Sequence, residues 1–87
     1  MKIKTNSGKV YDIRIIRPDI MRKDRVLIEL EDGRTLAEIA AEFDGLESFR
    51  KYSEDLDGVY ETYEGFKHLV SISRAESGRV RLTLAKE

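Results

Sequence analysis

The absence of cysteine is the feature that most restricts how this chain of 87 residues can fold. Without cysteine the chain can form no disulfide and no thiolate metal site, and it has no thiol nucleophile. Many domains of this size depend on such cross-links, so hydrophobic burial alone must hold this one together. The length suits one small domain over residues 1–87, built around a single core.

Alternation of apolar and polar residues at period two predicts strands along most of the chain. Pro18 is expected to lie outside the ladder because it has no backbone N–H to donate. One face of the sixth strand is expected to carry His68, Val70 and Ile72, and the inward face of the last strand Val80, Leu82 and Leu84. The predicted strands are residues 1–5, 9–17, 25–31, 47–53, 59–64, 66–74 and 79–86.

The middle of the chain changes to a helical period. Its apolar residues follow the spacing i, i+3, i+4, i+7 that is typical of an amphipathic helix. Thr35 and Glu38 have capping-box spacing at its start, and Gly45 suits a left-handed stop. A short helix at about residues 35–44 is therefore predicted from Leu36, Ile39, Ala40 and Phe43.

Short connections between the strands favour antiparallel pairing over parallel crossovers. We expect an α+β fold that is mainly antiparallel β, with about six to seven strands in a small bent sheet or partly open barrel. The short helix is expected to cover one end or side of it.

The net charge of −1 conceals three blocks of opposite sign. Residues 1–27 carry +5, residues 28–66 carry −9, and residues 67–87 carry +3. One interpretation is that these charges neutralise each other across the surface of the domain. The other is that the two basic ends form one patch for nucleic acid or another acidic partner. The candidate basic patch consists of Lys2, Lys4, Lys9, Arg14, Arg79 and Arg81.

No constellation of residues predicts catalysis. His68 is the single histidine, which excludes multi-histidine metal sites, and we interpret it as a half-buried strand residue. The acidic segment at 54–58 lacks the ligand spacing of an EF-hand, and the serines and glycines form neither a nucleophile elbow nor a phosphate loop. We therefore expect a protein that is not an enzyme and that uses no cofactor or metal.

The aromatic residues of the second half suggest a contact surface. Tyrosine often bridges core and solvent on a sheet, which is a purely structural interpretation. Tyrosines beside acidic groups are also typical of protein-contact surfaces. The candidate protein-contact surface consists of Tyr52, Tyr60, Tyr63 and Phe66.

Most of the chain resembles short uncharacterised proteins of phages and prophages of Gram-positive gut bacteria. The resemblance is carried by residues 1–11, residues 62–72, Gly78 and residues 80–84. The shared features are a Tyr-x-Gly-aromatic turn, a strand, a glycine turn and a final Val-x-Leu-type strand. The resemblance implies a role in a virion, a tail module or assembly, and it carries no catalytic residues.

We expect a non-enzymatic structural or protein-interaction domain whose partner is another protein or a second copy paired through edge strands. The alternative is a nucleic-acid-binding accessory protein that uses the basic terminal strands. The longest apolar runs are two or three residues, far short of the roughly 20 of a membrane helix, so no membrane partner is expected. The first residues lack a signal-peptide core, which favours the cytoplasm of the host cell, or a virion.

Overall fold

The computed structural model describes residues 1–31, 33–52 and 60–86, apart from the side chain of Tyr60. The acidic segment at 54–58 and Asp32 lie outside this description. Each predicted strand corresponds to an observed one. The elements are β1 (Lys2–Thr5), β2 (Val10–Pro18), β3 (Arg25–Leu30), α1 (Leu36–Phe43), β4 (Ser48–Tyr52), β5 (Tyr60–Glu64), β6 (His68–Arg74) and β7 (Val80–Ala85).

The strands form one open antiparallel sheet in the order β5-β4-β1-β2-β3-β7-β6. With its single short helix, the protein has the predicted small α+β fold. The long strand β2 joins the two halves of the sheet: residues 10–12 pair with β1, and residues 13–18 pair with β3. The register of β2 shifts between Ile13 and Ile15, where the two halves meet. Such a bulge increases the local twist, so it bends the sheet at this junction.

One cluster of buried side chains packs on one face of the sheet. The inward residues of β7 are the predicted ones, and both halves of the sheet contribute to the same cluster. Its members are Ile3, Tyr11, Ile13, Val26, Ile28, Leu30, Ile39, Phe43, Leu46, Phe49, Val80, Leu82 and Leu84.

The helix is attached to this core by Ile39 and Phe43, both completely buried. Its predicted start is confirmed, because the Thr35 hydroxyl accepts a hydrogen bond from the Glu38 N–H at 3.3 Å. After its last turn, Gly45 takes a φ of 82° and donates its N–H to the Lys67 carbonyl at 2.8 Å. Within the described residues no helix has the length and apolar content needed to cross a membrane.

Two details of the strand prediction are wrong. Pro18 is the last residue of β2 and lies opposite Val26. At the end of a strand, the missing N–H costs the ladder at most one hydrogen bond. In β6 the register shifts between Leu69 and Ser71, so the alternation does not continue through Val70. As a result His68 and Val70 are exposed, whereas Leu69 and Ile72 pack against the core.

Candidate functional site

The two edge strands of the open sheet differ in regularity. Strand β6 forms one edge, and its bulge at Val70 interrupts the ladder that a further strand would continue. Helix α1 also contacts β6. Strand β5 forms the other edge, and all five of its residues pair with β4 in unbroken register. Because bulges and covering elements protect an edge from further pairing, β5 is the edge better suited to accept another strand.

Two hydrogen bonds beyond the strand ends show which backbone groups of β5 face outwards. The Gly65 N–H donates to the Glu47 carbonyl at 3.2 Å, which continues the β4–β5 register by one pair. The Asn6 N–H donates to the Ser48 carbonyl at 3.1 Å and continues the β1–β4 register in the same way. In an antiparallel ladder, residues that bond to the neighbour alternate with residues that do not. The N–H and C=O groups of residues 60, 62 and 64 therefore point away from β4, towards the open edge.

The candidate tyrosine surface is divided between two environments. Tyr63 is half-buried and stacks on the buried Phe49, with ring centroids 4.8 Å apart and planes inclined by 6°. Phe66 meets Tyr63 edge-on at 6.2 Å, and the Lys86 ammonium lies 5.0 Å from the centre of the Phe66 ring. Tyr63 and Phe66 thus extend the aromatic part of the core towards solvent.

Tyr52 lies on the opposite side of β4. Strand alternation separates it from Phe49, and it stands in register with Lys2 of β1 and Tyr60 of β5. The four aromatic residues therefore do not form one surface. Tyr52 and Tyr60 share a register position, and Tyr63 and Phe66 belong to the core side.

The environment of Tyr63 suits a hydrogen-bonding residue rather than a proton-transfer group. Burial raises the pKa of its hydroxyl, and the hydrogen bond to the Glu61 carboxylate at 2.6 Å, with the charge of that carboxylate, raises it further. The phenol stays protonated and donates to Glu61, which itself lies 3.9 Å from the Lys51 ammonium. Edge strand β5 thus carries a polar network on its core side.

Most of the candidate basic patch is engaged in ion pairs inside the domain. Lys2 Nζ lies 3.9 Å from Asp12 Oδ1, and Lys9 Nζ lies 3.6 Å from Glu42 Oε2. Lys4 makes no ion pair with a described residue and lies directly opposite Arg50 in the β1–β4 ladder. These two cations border an open hollow of about 480 Å³.

The three arginines of the candidate patch converge on one carboxylate of β3. Arg14 donates to Glu29 Oε1 at 3.1 Å, Arg81 Nε lies 3.5 Å from Glu29 Oε2, and Arg79 Nε lies 3.9 Å from Glu29 Oε1. Arg79 also reaches Glu31 at 3.4 Å. Burial raises the pKa of Glu29, but the Arg14 hydrogen bond and the three positive charges outweigh this effect and lower the pKa overall. These ion pairs neutralise arginines of the basic blocks against glutamates of the acidic block within the domain, in line with the first interpretation of the charge pattern.

Glu42 anchors the helix to the first hairpin. Its side chain is 9% exposed and accepts hydrogen bonds from the hydroxyls of Thr5 and Ser7, beside the Lys9 ammonium. Burial raises the pKa of this carboxyl, but the bonds from Ser7 and Thr5 and the charge of Lys9 outweigh that effect and lower it overall. All its partners are hydroxyl or ammonium groups, so the cluster stabilises an ionised carboxylate. We interpret it as a structural contact.

The described residues bring no metal-binding group together. Within residues 1–31, 33–52 and 60–86, no three carboxylate or histidine side chains lie close enough to hold a metal ion. His68 is exposed at the start of β6, opposite Ala85, rather than half-buried as predicted.

Among the described residues, the most exposed large apolar side chains lie in a segment for which no role was predicted. Ile20 is 92% exposed and Met21 is 87% exposed, in the turn between β2 and β3. The next most exposed large apolar residue, Met1, reaches 49%. Two adjacent apolar residues inside an otherwise charged turn were the signal that could have identified them.

These observations define a small open-sheet α+β domain with an apolar turn and one regular edge strand, β5, which pairs with β4 alone among the described strands. No protein-family model matches the chain, and neither the curated proteins nor the solved structures include a match to it.

Proposed function

We propose that this protein is a non-enzymatic interaction domain that self-associates by pairing strand β5 with β5 of a second copy. The observation that carries the proposal is the outward direction of the backbone groups at residues 60, 62 and 64, on the regular edge of the sheet. Unpaired N–H and C=O groups on a regular edge are a template for another strand. Two copies related by a two-fold axis would present the same template to each other.

The sequence of β5 selects one register for this pairing. Outward-facing residues must bond to outward-facing residues, so Thr62 pairs with Thr62 of the second copy and Tyr60 pairs with its Glu64. Each residue of β5 then has a partner, and the ladder gains six backbone hydrogen bonds. Between these bonded pairs, Glu61 lies opposite Tyr63 of the second copy. A two-fold axis passes between the two Thr62 residues.

Charge favours this register over the neighbouring one towards the start of β5. Shifting the axis by one residue in that direction would place Glu61 opposite Glu61 of the second copy, and like charges directly opposite destabilise a ladder. In the Thr62-centred register every glutamate faces a tyrosine. The Lys51 ammonium, 3.9 Å from Glu61, also neutralises part of the charge on this edge.

The expected association is weak and reversible. Six hydrogen bonds at a net of about 1 kcal/mol each and five cross-strand side-chain pairs at about 0.6 kcal/mol each together contribute about 9 kcal/mol. The lost freedom of the two molecules costs at least about 4–5 kcal/mol, so about −4 to −5 kcal/mol remains, which corresponds to a Kd of about 0.2–1 mM. Self-association in this range suits a component of a larger assembly, in line with the virion or assembly role that the phage resemblance implies.

The ion pairs of the sheet weigh against the alternative of nucleic-acid binding by the basic terminal strands. Five of the six candidate residues already face carboxylates of this domain. A phosphate backbone would have to compete with those carboxylates. We therefore favour the protein-contact function.

The test replaces Thr62 by proline and, as a matched control, by valine. Proline removes the outward N–H without disturbing the bonds to β4, whereas valine keeps the N–H and loses only the hydroxyl. We expect the wild type and Thr62→Val to dimerise as concentration rises to about 1 mM, and Thr62→Pro to show a Kd at least about tenfold higher. Light scattering coupled to size exclusion, with circular dichroism to verify folding, measures this. A wild type that is strictly monomeric at about 1 mM would refute self-association.

A charge-exchange experiment tests the register itself. Thr62→Lys and Thr62→Glu each place two like charges opposite each other across the two-fold axis. Each variant alone should therefore dimerise less than the wild type. Mixing the two variants should restore dimers, because lysine then faces glutamate. If both variants dimerise as the wild type does, Thr62 is not at the two-fold axis.

A further inference from the structure

The turn between β2 and β3 presents two apolar side chains almost fully to solvent. We call residues 19–24 the hairpin tip. Ile20 and Met21 lie at its start, 92% and 87% exposed, whereas Val70 on β6 is 45% exposed. Single exposed apolar residues are common on protein surfaces, but two adjacent ones this exposed form a small apolar projection.

Backbone and side-chain hydrogen bonds hold the hairpin tip in this conformation. The Asp19 N–H donates to the Arg25 carbonyl at 3.0 Å, and the Met21 N–H donates to Asp19 Oδ1 at 2.9 Å. The Asp24 carbonyl accepts from the Lys86 N–H at 2.8 Å, which ties the tip to the end of β7. The turn is thus organised before it meets a partner, and this lowers the entropy lost on binding.

Three cations lie within three residues of the two apolar side chains in the sequence. Arg17, Arg22 and Lys23 are exposed, and none of the three forms an ion pair with a described residue. This contrasts with the arginines of the sheet, which converge on Glu29. The tip also carries two carboxylates, the exposed Asp24 and Asp19, which accepts the Met21 N–H.

We propose that the hairpin tip is a docking site for an anionic phospholipid surface. A bilayer offers anionic headgroups to the three cations and an apolar boundary about 5–10 Å below them for Ile20 and Met21. Cations near an anionic leaflet and buried apolar area both contribute to such binding. Nucleic acid would satisfy the cations but would have to unstack its bases to receive two aliphatic side chains. This contact needs no membrane-spanning segment and is separate from strand β5.

The experiment measures sedimentation of the protein with vesicles of phosphatidylcholine containing about 30% phosphatidylserine, against pure phosphatidylcholine. We expect reversible binding to the anionic vesicles that weakens with added salt. Ile20→Ser/Met21→Ser should lower the partition coefficient at least about tenfold, since burial of each side chain contributes to it. Arg22→Glu/Lys23→Glu should lower it by a similar factor, because anionic headgroups then repel the tip.

Val70→Ser is the matched control, because it removes an exposed apolar side chain elsewhere, and it should change the partition coefficient by less than about twofold. Circular dichroism verifies that each variant is folded. The proposal is overturned if the wild type does not bind anionic vesicles at low salt, or if Ile20→Ser/Met21→Ser binds as well as the wild type. Binding to random duplex DNA that is lost in the same double variant would assign the tip to nucleic acid instead.

Discussion

Replacing Phe43 by alanine is expected to destabilise the protein by about 3–5 kcal/mol, the usual range for deleting a fully buried phenyl ring. Phe43 is completely buried and packs between Tyr11 and Phe49, with ring centroids at 5.2 and 6.4 Å. It is also one of two buried residues that attach the eight-residue helix to the sheet. A helix this short depends on tertiary packing, so the loss of Phe43 should release it together with the core contacts.

Urea unfolding followed by circular dichroism measures this change. A domain of this length has a free energy of unfolding of about 4–13 kcal/mol, so Phe43→Ala should lose about a quarter of it or more and unfold at a markedly lower urea concentration. Ile20→Ala is the control, since its side chain is 92% exposed and should change the free energy by less than about 0.5 kcal/mol. A loss below about 1 kcal/mol for Phe43→Ala would mean that the helix does not depend on this contact.

Replacing Glu42 by glutamine is expected to remove a pH-dependent part of the stability. The hydroxyls of Thr5 and Ser7 and the Lys9 ammonium together lower the pKa of Glu42 below its ordinary value of 4.5, against the opposing effect of burial. A carboxyl whose pKa is lower in the folded state stabilises the fold above its unfolded pKa. This stabilisation is lost as pH falls from about 5 through the folded pKa.

The wild type should therefore be more stable than Glu42→Gln by about 1–3 kcal/mol at pH 7, the range for hydrogen bonds to a charged group. The difference should shrink steadily as the pH falls from about 5 to about 3. Urea unfolding of both proteins across this range measures it. Glu38→Gln, an exposed position on the same helix, is the matched control. A constant difference between the wild type and Glu42→Gln at all pH values would contradict the assignment of Glu42 as an ionised anchor.

Local patterns were sufficient to predict the elements of this fold. The helix followed from the spacing of four apolar residues and a cap at Thr35, and the inward face of β7 followed from strict alternation. Both signals depend on neighbours within a few residues, where sequence spacing and spatial proximity coincide. For the same reason, the antiparallel arrangement could be expected from the short connections.

The features that define the site depend on distant contacts. The sheet order pairs β1 with β4 and β3 with β7, strands that are distant in sequence, and no local pattern indicates these pairings. The bulge at Val70 appears only when β6 is aligned with β7. Tyr63 packs against the core because its register places it opposite Phe49. The four aromatic residues of the predicted surface therefore do not lie together. The availability of the β5 edge follows from the whole sheet and could not be read from β5 alone.

The most direct test of strand pairing is amide hydrogen exchange along β5 at two protein concentrations. The amides of Glu61 and Tyr63 face β4 and should be protected whether or not the protein dimerises. The amides of Tyr60, Thr62 and Glu64 face the open edge, so they should exchange quickly in dilute protein and slow markedly where dimers form. Protection at residues 60, 62 and 64 that rises with concentration is the result that β5 pairing predicts. Fast exchange at these three amides under conditions where light scattering detects dimers would place the contact elsewhere and contradict the proposal.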